Sequence, residues 1–324
     1  MNVLITGGAG YIGAATSYLL LKKKIKPVII DKLIYKKNNI IPKKSIFFKS
    51  NISNLSLVKK IIKKYNINSV IHFAAYKDVA ESVSNPKKYH NNNYLITKKF
   101  IKCCKENGIN NFIFSSTAAV YGNISKNKKV LENSPLNPIS AYGLTKKKVE
   151  DYLNTISDKN FKFFSLRYFN VIGSDKYLKY GPIGLKINSL TNNLYRSIIT
   201  SNDFKIYGSN HRTKDGTPVR DFIHVDDLAN IHYQSLKYLE KNKKNQICNC
   251  GYGKGYSIKE VVETLIKKNQ VIFNYSYTKK RPGDISYMVA NTNKLNKIIN
   301  WKPEYSNLGK MIFSELRWKK KMNK

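Results

Sequence analysis

Short apolar runs alternate with longer segments of helical periodicity in the first half of the chain, and this alternation restricts the fold more than any other feature. Strands are predicted at 3–6, 27–31, 46–49, 69–74, 111–115 and 161–166. Helices are predicted between them, near 12–22, 55–65, 85–107 and 140–155. Because repeated strand–helix units form a parallel sheet with helices on both faces, the sequence predicts a doubly wound α/β domain.

The second half of the chain follows a different pattern. Residues 173–219 lack the alternation and are rich in Asn, Lys and Gly. Later elements are predicted at 225–241, 246–250, 257–268 and 271–277, before two closing helices. Since 324 residues exceed the usual size of one core, we expect two lobes. The larger comprises 1–173 plus about 221–247, and the smaller α/β substrate-binding lobe comprises about 174–220 plus 248–324.

A glycine-rich turn, VLITGGAGYIG at 3–13, places Gly7, Gly10 and Gly13 between the first predicted strand and the first predicted helix. Glycines there let the backbone approach a pyrophosphate, whose charge is met by the N–H groups of the helix N-terminus. Asp31 ends the next strand, 18 residues after Gly13. A carboxylate at that position binds the ribose hydroxyls of NAD and repels the extra phosphate of NADP. The combination predicts a Rossmann-type domain that binds NAD.

Five Tyr-x-x-x-Lys pairs begin at residues 18, 94, 142, 233 and 275, so the pattern alone has little meaning. Only the pair Tyr142–Lys146 has suitable surroundings. The preceding strand brings the Thr117 hydroxyl to the carboxyl edge of the sheet, where ligands of open α/β folds bind. Ser140 is a suitable N-cap for a helix that places Tyr142 and Lys146 on one face. We therefore predict that Tyr142, Lys146 and Thr117 are catalytic.

A catalytic tyrosine must lose its proton near neutral pH, although a phenol normally has a pKa of roughly 10. We expect the ammonium of Lys146 and the positive ring of oxidised nicotinamide to lower the pKa of Tyr142. Tyr142 can then accept the proton of a substrate hydroxyl while the hydride of the same carbon passes to NAD. These residues indicate reversible oxidation of an alcohol.

The glycine turn, the Thr117 segment and the Tyr142–Lys146 pair resemble the extended short-chain dehydrogenase/reductase family over nearly the full length of the chain. The further stretches that carry the resemblance are VIHFAAYKDVAESVSNP (70–86), SLRYFNVIG (165–173), DGTPVRDFIHVDDLA (215–229), GYGKGYSIKEV (251–261) and KRPGD (280–284). Within the family, the chain is similar to enzymes that invert C4 of UDP-hexoses. The resemblance implies NAD-dependent interconversion of UDP-glucose and UDP-galactose through a 4-keto sugar.

The resemblance also implies site residues. The expected cofactor-binding residues are Gly7, Gly10, Tyr11, Ile12, Gly13, Asp31, Lys32, Asn51, Ile52, Phe73, Ala74, Ala75, Lys77, Asn92, Ser115, Tyr142, Lys146 and Phe169. The expected substrate-binding residues are Lys77, Thr117, Tyr142, Asn170, Tyr207, Arg220, Arg281 and Asp284. In this assignment Tyr207 would lie against uracil and Asp284 would bind the uridine ribose. Arg220 and Arg281 would hold the diphosphate. Guanidinium groups suit a diphosphate because they form paired hydrogen bonds.

Three departures from the family pattern affect details of binding. Lys32 replaces the usual Asn after the ribose-binding acid, and its charge weakens the expected preference for NAD over NADP. Asn51 stands where an acidic residue is usual on the adenine side. Lys186 and Ile187 replace the usual His-Leu or Asn-Leu pair of the substrate loop.

Other activities of the same fold stay open to different degrees. A nucleotide-sugar dehydratase or decarboxylase would need carboxylates after Thr117, but Ala118 and Ala119 stand there and cannot transfer protons. A dehydrogenase, an epimerase of UDP-N-acetylhexosamines, and an inactive NAD- or RNA-binding protein are the alternatives. The family implies a homodimer, formed through the helices predicted at 85–107 and 140–155.

The composition restricts partners and location. The formal net charge of +38 comes from 52 Lys and only 6 Arg, scattered along the chain, which does not favour specific nucleic-acid binding. The four cysteines have no spacing typical of a metal site, so no metal is expected and buried free thiols are predicted. The sequence has neither a membrane-length apolar run nor a basic leader, and we expect a cytoplasmic protein with no membrane partner.

Overall fold

The computed structural model describes residues 1–34, 40–123, 128–184, 189–269, 273–281 and 283–323. Its strands are β1 Asn2–Thr6, β2 Lys26–Asp31, β3 Ile46–Lys49, β4 Ser69–His72, β5 Asn111–Thr117, β6 Lys162–Tyr168, β7 Asn170–Ile172, β8 Phe204–Tyr207, β9 Val219–His224, β10 Gln246–Cys250, β11 Gly255–Ser257, β12 Tyr275–Thr278 and β13 Tyr287–Met288. Its α-helices are α1 Tyr11–Lys22, α2 Leu55–Lys64, α3 Val79–Ser84, α4 Pro86–Tyr89, α5 Thr97–Glu106, α6 Ala141–Ile156, α7 Leu190–Thr200, α8 Val225–Asn242, α9 Ile258–Asn269, α10 Asn293–Ile298 and α11 Leu308–Met322.

Seven parallel strands form the central sheet, in the order β10-β6-β5-β4-β1-β2-β3. Alternate side chains of β1 enter different cores: Val3 and Ile5 pack on one face of the sheet and Leu4 packs on the other. Both faces are therefore buried, as expected for a parallel sheet covered by helices. The predicted Rossmann-type fold is confirmed. The strand order reverses between β1 and β4, which creates the crevice where ligands of such sheets bind.

The smaller lobe contains short sheets. Strand β9 pairs with β7, β11 and β13, and β8 pairs with β12. Two strands cross the lobe boundaries expected from the sequence. Strand β10 belongs to the central sheet and continues to Cys250, past the expected boundary at about 247. Strand β7 precedes residue 173 but pairs within the four-stranded sheet of the smaller lobe. Among the described residues, no helix has the length and apolarity required to cross a membrane.

Two parts of the secondary structure differ from the prediction. The helix predicted at 85–107 begins at Pro86 and contains a π-helical segment, His90–Ile96, between α4 and α5. The stretch at 173–219 contains α7 and β8, whose short apolar patterns fall among many Asn and Lys residues. The strand predicted at 271–277 is described only as β12, since residues 271 and 272 lie outside the described residues.

Candidate active site

The glycine turn between β1 and α1 is compact enough to require glycine. Gly7 has a φ of +70°, and a Cβ added there would lie 2.7 Å from the Ala74 backbone nitrogen at the end of β4. A Cβ at Gly13 would lie 2.4 Å from the Gly7 carbonyl oxygen. Gly10 is the N-cap of α1 and gives it no side-chain cap, so the first N–H groups of the helix have no such partner. This arrangement fits a pyrophosphate at the helix N-terminus.

Asp31 lies at the end of β2, next to the glycine turn. Its carboxylate accepts hydrogen bonds from the Ala9 nitrogen (3.1 Å) and the Leu33 nitrogen (2.8 Å). Burial raises its pKa, although these bonds and the charge of Lys32 oppose the rise. Lys32 donates to the Tyr76 hydroxyl at 2.8 Å, so its ammonium is directed towards Tyr76. A carboxylate held in this way is suited to bind ribose hydroxyls.

A cavity of about 460 Å³ extends from the glycine turn to α6. With the exception of Phe169, all the predicted cofactor-binding residues line it. Phe169 is buried and packs in a separate apolar cluster with Ala118 and Met288. The glycine turn, the uncapped helix and Asp31 at one end of the cavity together fit a dinucleotide.

Tyr142 and Lys146 lie one turn apart on α6, at the other end of this cavity. The helix begins as predicted, because the Ser140 hydroxyl accepts from the Gly143 nitrogen at 3.1 Å. The Thr117 hydroxyl lies close enough to the Tyr142 phenol to affect its pKa. The three predicted catalytic side chains are thus close together.

Lys146 is held by the end of β5. Its ammonium donates to the Ser115 carbonyl at 2.7 Å and lies 5.9 Å from the centre of the Tyr142 ring. Burial lowers the pKa of Lys146 to about 7, while the negative charge of Glu150 opposes this shift. The ammonium therefore titrates near neutral pH.

The predicted lowering of the Tyr142 pKa is wrong for the protein without ligand. Burial raises the pKa of Tyr142 to about 12, and the neighbouring Thr117 hydroxyl only partly opposes this effect. The sequence could place Tyr142 beside a cation, but it could not reveal how completely the phenol is removed from solvent. Deprotonation of Tyr142 therefore requires a further positive charge or a proton exchange with substrate.

A buried ion pair lies below Lys146. Glu150 accepts from the Arg167 Nε and Nη2 at distances of 2.6–3.2 Å, and both side chains are almost fully buried. Arg167 also donates to Tyr121. This arginine, one of three that lie in the family-like stretches, therefore supports β6 and α6 and does not line the cavity.

The predicted uridine-diphosphate residues gather in the smaller lobe. Arg220 on β9 donates to an Asp284 carboxylate oxygen at 2.7 Å. The guanidinium of Arg281 lies 3.6 Å from the centre of the Tyr207 ring, a close cation–π contact. Asn170 is exposed at the start of β7. The structure thus brings Arg220 next to Asp284 and Arg281 next to Tyr207. Each arginine therefore already has a partner within the protein.

The remaining predicted residues and the cavity lining overlap only in part. Lys77 is exposed and lines the cavity, as predicted. Lys186 and Ile187 lie outside the described residues. The lining residues that sequence reasoning missed are Ala9, Ile30, Ile34, Ser50, Tyr76, Asp78, Glu81, Lys88, Tyr89, Tyr168 and Ile183. Tyr76 follows the β4 stretch and could have been found from its position. Tyr168 lies in a continuous buried strand, where no periodic signal distinguishes it.

The fold and the site together define a dinucleotide-dependent enzyme of the short-chain dehydrogenase/reductase class. Residues 3–251 match the model of the NAD dependent epimerase/dehydratase family, and the chain belongs to that family.

Similar curated proteins span the whole chain. The UDP-glucose 4-epimerase of Lactobacillus helveticus is 35% identical, and the match covers 99% of this chain and 97% of the relative. That of Haemophilus influenzae is also 35% identical, with 99% and 98% covered.

Solved structures are similar in fold. The UDP-glucose-4-epimerase of Stenotrophomonas maltophila, with bound NAD and formylated UDP-arabinopyranose, has a TM-score of 0.93 and 28% identity, covering 100% of this chain and 99% of its own. The UDP-Glc/GlcNAc 4-epimerase of Campylobacter jejuni has a TM-score of 0.84 and 35% identity, covering 99% of each chain.

Proposed function

We propose that this protein catalyses the reversible, NAD-dependent epimerisation of UDP-glucose and UDP-galactose at C4. The observation that carries the proposal is the position of Tyr142 and Lys146, with Thr117 beside the phenol, at one end of a cavity whose other end is built for a dinucleotide. The full-length similarity to UDP-glucose 4-epimerases supports the choice of substrate.

The cofactor would be held by the residues that line the cavity. The helix N-terminus at Gly10 would bind the pyrophosphate, and Asp31 would bind a ribose. When bound, NAD supplies the hydride acceptor for C4 of the sugar and returns the hydride to the opposite face. Every proton transfer is assigned to the protein.

Tyr142 is the proposed general base and acid. It would take the proton of the 4-hydroxyl during oxidation and return it during reduction, with Thr117 donating a hydrogen bond to the phenolate. The positive charge of Lys146, and that of the nicotinamide ring, would oppose the effect of burial on the Tyr142 pKa.

The substrate would be held by its nucleotide end. Arg220 and Arg281 would bind the diphosphate, Tyr207 the uracil and Asp284 the uridine ribose, with Lys77 and Asn170 nearer the sugar. Charge-assisted hydrogen bonds to the diphosphate would hold the nucleotide end while the 4-keto sugar rotates about its link to the diphosphate.

Two other activities are less well supported. A dehydratase would need protein acids beside the sugar, and Ala118, which follows Thr117, is a buried residue without a proton to transfer. A simple dehydrogenase would consume NAD in proportion to product. An epimerase of UDP-N-acetylhexosamines has specific support, because the similar Campylobacter jejuni protein acts on UDP-Glc and UDP-GlcNAc by its name.

The protein is proposed to be a cytoplasmic homodimer. Val83, Leu95 and Leu144 are large apolar side chains exposed by 66%, 40% and 42% on three neighbouring segments, namely α3, the π-helical segment and α6. A second copy of the chain would cover them. The four buried free thiols suit a reducing compartment. Light scattering should give a dimer that Leu95→Lys with Leu144→Lys converts to a monomer, and a wild-type monomer would contradict the assignment.

The function is tested by incubating the purified protein with UDP-galactose and, separately, with UDP-N-acetylgalactosamine, without added reductant. The expected result is formation of UDP-glucose in the first reaction, detected by a coupled assay. Activity only in the second would transfer the assignment to N-acetylated substrates. Activity in neither would contradict it.

A further inference from the structure

Two cavity-lining side chains meet across the end of strand β1. Lys32 follows β2 and Tyr76 follows β4, and β1 lies between these two strands in the sheet. Because neighbouring strands are about 4.8 Å apart, the ends of β2 and β4 are separated by roughly 10 Å. The Lys32 ammonium nevertheless donates to the Tyr76 hydroxyl at 2.8 Å and lies 4.2 Å from the centre of its ring. The pair therefore bridges the edge of the sheet at which the glycine turn begins.

Tyr76 is the fixed side of this bridge. The Asn93 side chain, which is 2% exposed, accepts from the Tyr76 nitrogen at 2.9 Å and donates to the Tyr76 carbonyl oxygen at 2.8 Å. The Tyr76 ring also packs against that of Tyr89, with ring centres 5.8 Å apart, and the Lys88 ammonium lies 4.6 Å from its centre. Both the backbone and the ring of Tyr76 are thus held by neighbours other than Lys32.

Lys32 is the side of the bridge that can move. Its ammonium is carried by a flexible four-carbon chain, and within the described part of the protein it forms no ion pair. Rotation of this side chain breaks the bridge without moving the backbone. The cavity extends from the glycine turn to α6 with the bridge formed, so the bridge does not fill the space assigned to the dinucleotide.

We propose that Lys32 and Tyr76 form a clasp that controls the entry and release of the dinucleotide without serving as its ligand. The clasp must open for the dinucleotide to pass, and opening breaks both the hydrogen bond and the cation–π contact. Because the same contact is made before and after exchange, it slows both directions and leaves the affinity nearly unchanged. The inference rests on the proposed function, in which a cofactor regenerated in each turnover has no need to leave.

The test measures both rate constants with NADH, whose fluorescence reports binding. Association is followed by stopped flow, and release is followed by displacement with excess NAD. Lys32→Met removes the ammonium and keeps the length of the side chain. It should raise the association and the release rate constants about tenfold each, the factor expected for loss of a hydrogen bond to a charged group. Kd should stay within about threefold of the wild-type value, because the two changes cancel.

Three further variants test the contact itself. Tyr76→Phe keeps the ring and loses the hydroxyl, so both rate constants should rise by a smaller factor, about threefold. Lys32→Arg can donate to the hydroxyl and stack on the ring, so it should restore slow exchange. The double variant Lys32→Met with Tyr76→Phe should exchange no faster than Lys32→Met, because the same contact is already broken.

Lys26→Met is the matched control. Lys26 is exposed at the other end of β2, and its substitution removes the same charge. Neither rate constant should change.

Each outcome decides the proposal. Unchanged rate constants in Lys32→Met overturn it, and so does faster release with unchanged association, because that result makes Lys32 a direct ligand. Wild-type protein that binds NADPH as tightly as NADH, with only NADPH binding lost in Lys32→Met, also overturns it by making Lys32 a ligand of the 2′-phosphate. Wild-type protein that binds no dinucleotide contradicts the proposed function together with this inference.

Discussion

The cofactor end of the cavity and the uridine end of the smaller lobe differ in how their polar groups are prepared for a ligand. At the cofactor end, the N–H groups at the start of α1 lack a side-chain cap, and Asp31 is fixed by two backbone bonds beside an open cavity. At the uridine end, Arg220 is bonded to Asp284 and Arg281 is stacked on Tyr207.

This difference suits ligands with different residence times. A preformed site loses little free energy to rearrangement and can retain its ligand. Groups that must leave an existing partner bind more weakly, so they suit a substrate that enters and departs in each turnover. Tyr142 and Lys146 lie at the far end of the cavity from the glycine turn and Asp31.

The largest expected effect concerns Tyr142, at the catalytic end of the cavity. Tyr142→Phe should lower turnover about 10²–10⁴-fold, because it removes the proton-transfer group while keeping the ring. NAD content, measured after denaturation, should be unchanged. Tyr94→Phe, in another Tyr-x-x-x-Lys pair, is the matched control and should keep full activity. Full activity of Tyr142→Phe would eliminate the proposed base.

The next effect tests the rigidity of the cofactor end. Gly13→Ala should abolish NAD retention, since its Cβ would overlap the Gly7 carbonyl oxygen at 2.4 Å. Gly108→Ala is the control: it lies outside the cavity and its added Cβ would meet no atom within 4 Å, so NAD content should be unchanged. Equal NAD contents in the two variants would contradict a turn fixed by close backbone packing.

At the uridine end, the expected effect is confined to substrate binding. Arg220→Ala should raise KM for UDP-galactose about 10–100-fold, the range for loss of a hydrogen bond to a charged group, and should leave NAD content unchanged. Arg196→Ala, at an exposed position of α7, should change neither quantity. Loss of NAD from the Arg220 variant would break the distinction between the two ends.

The smallest effect is a pH dependence of stability with opposite signs in the two regions. Burial raises the pKa of Asp221, on β9, to about 6, so its contribution is present below about pH 4 and is lost as the pH rises through 6. Burial lowers the pKa of Lys146 to about 7, so its contribution grows as the pH rises from about 7 to about 10.

Urea unfolding at stepped pH measures both slopes. The difference between the wild-type protein and Asp221→Asn should change between pH 4 and 6, and the difference from Lys146→Met should change between pH 7 and 10. Each difference should be at most a few kcal/mol, because one pKa unit corresponds to about 1.4 kcal/mol. Differences that do not vary within these windows would contradict the assigned burial effects.

Sequence reasoning succeeded where chemistry imposes residue types in a fixed order. Gly7 and Gly13 must be glycines because backbone atoms occupy the space that a side chain would need. The spacing of these glycines between a predicted strand and a predicted helix already indicated such a turn. Helix α6 was likewise predictable from Ser140 and its apolar periodicity, to within one residue at each end.

The remaining features depend on tertiary packing. In the protein without ligand, burial of the Tyr142 phenol raises its pKa and so opposes the predicted shift, and no local pattern reports that burial. Arg167 belongs to a family-like stretch but pairs with Glu150 in the core. The hydrogen bond between Tyr168 and His232 joins residues 64 positions apart, which only the fold brings together.

The central claim is that one carbon is oxidised and then reduced within a single turnover by a cofactor that stays bound. It is tested most directly by incubating the NAD-loaded protein with UDP-glucose deuterated at C4, without added NAD, and examining the products by NMR. The account predicts UDP-galactose that retains deuterium at C4. Unchanged UDP-glucose, or UDP-galactose that has lost the label to solvent, would contradict it.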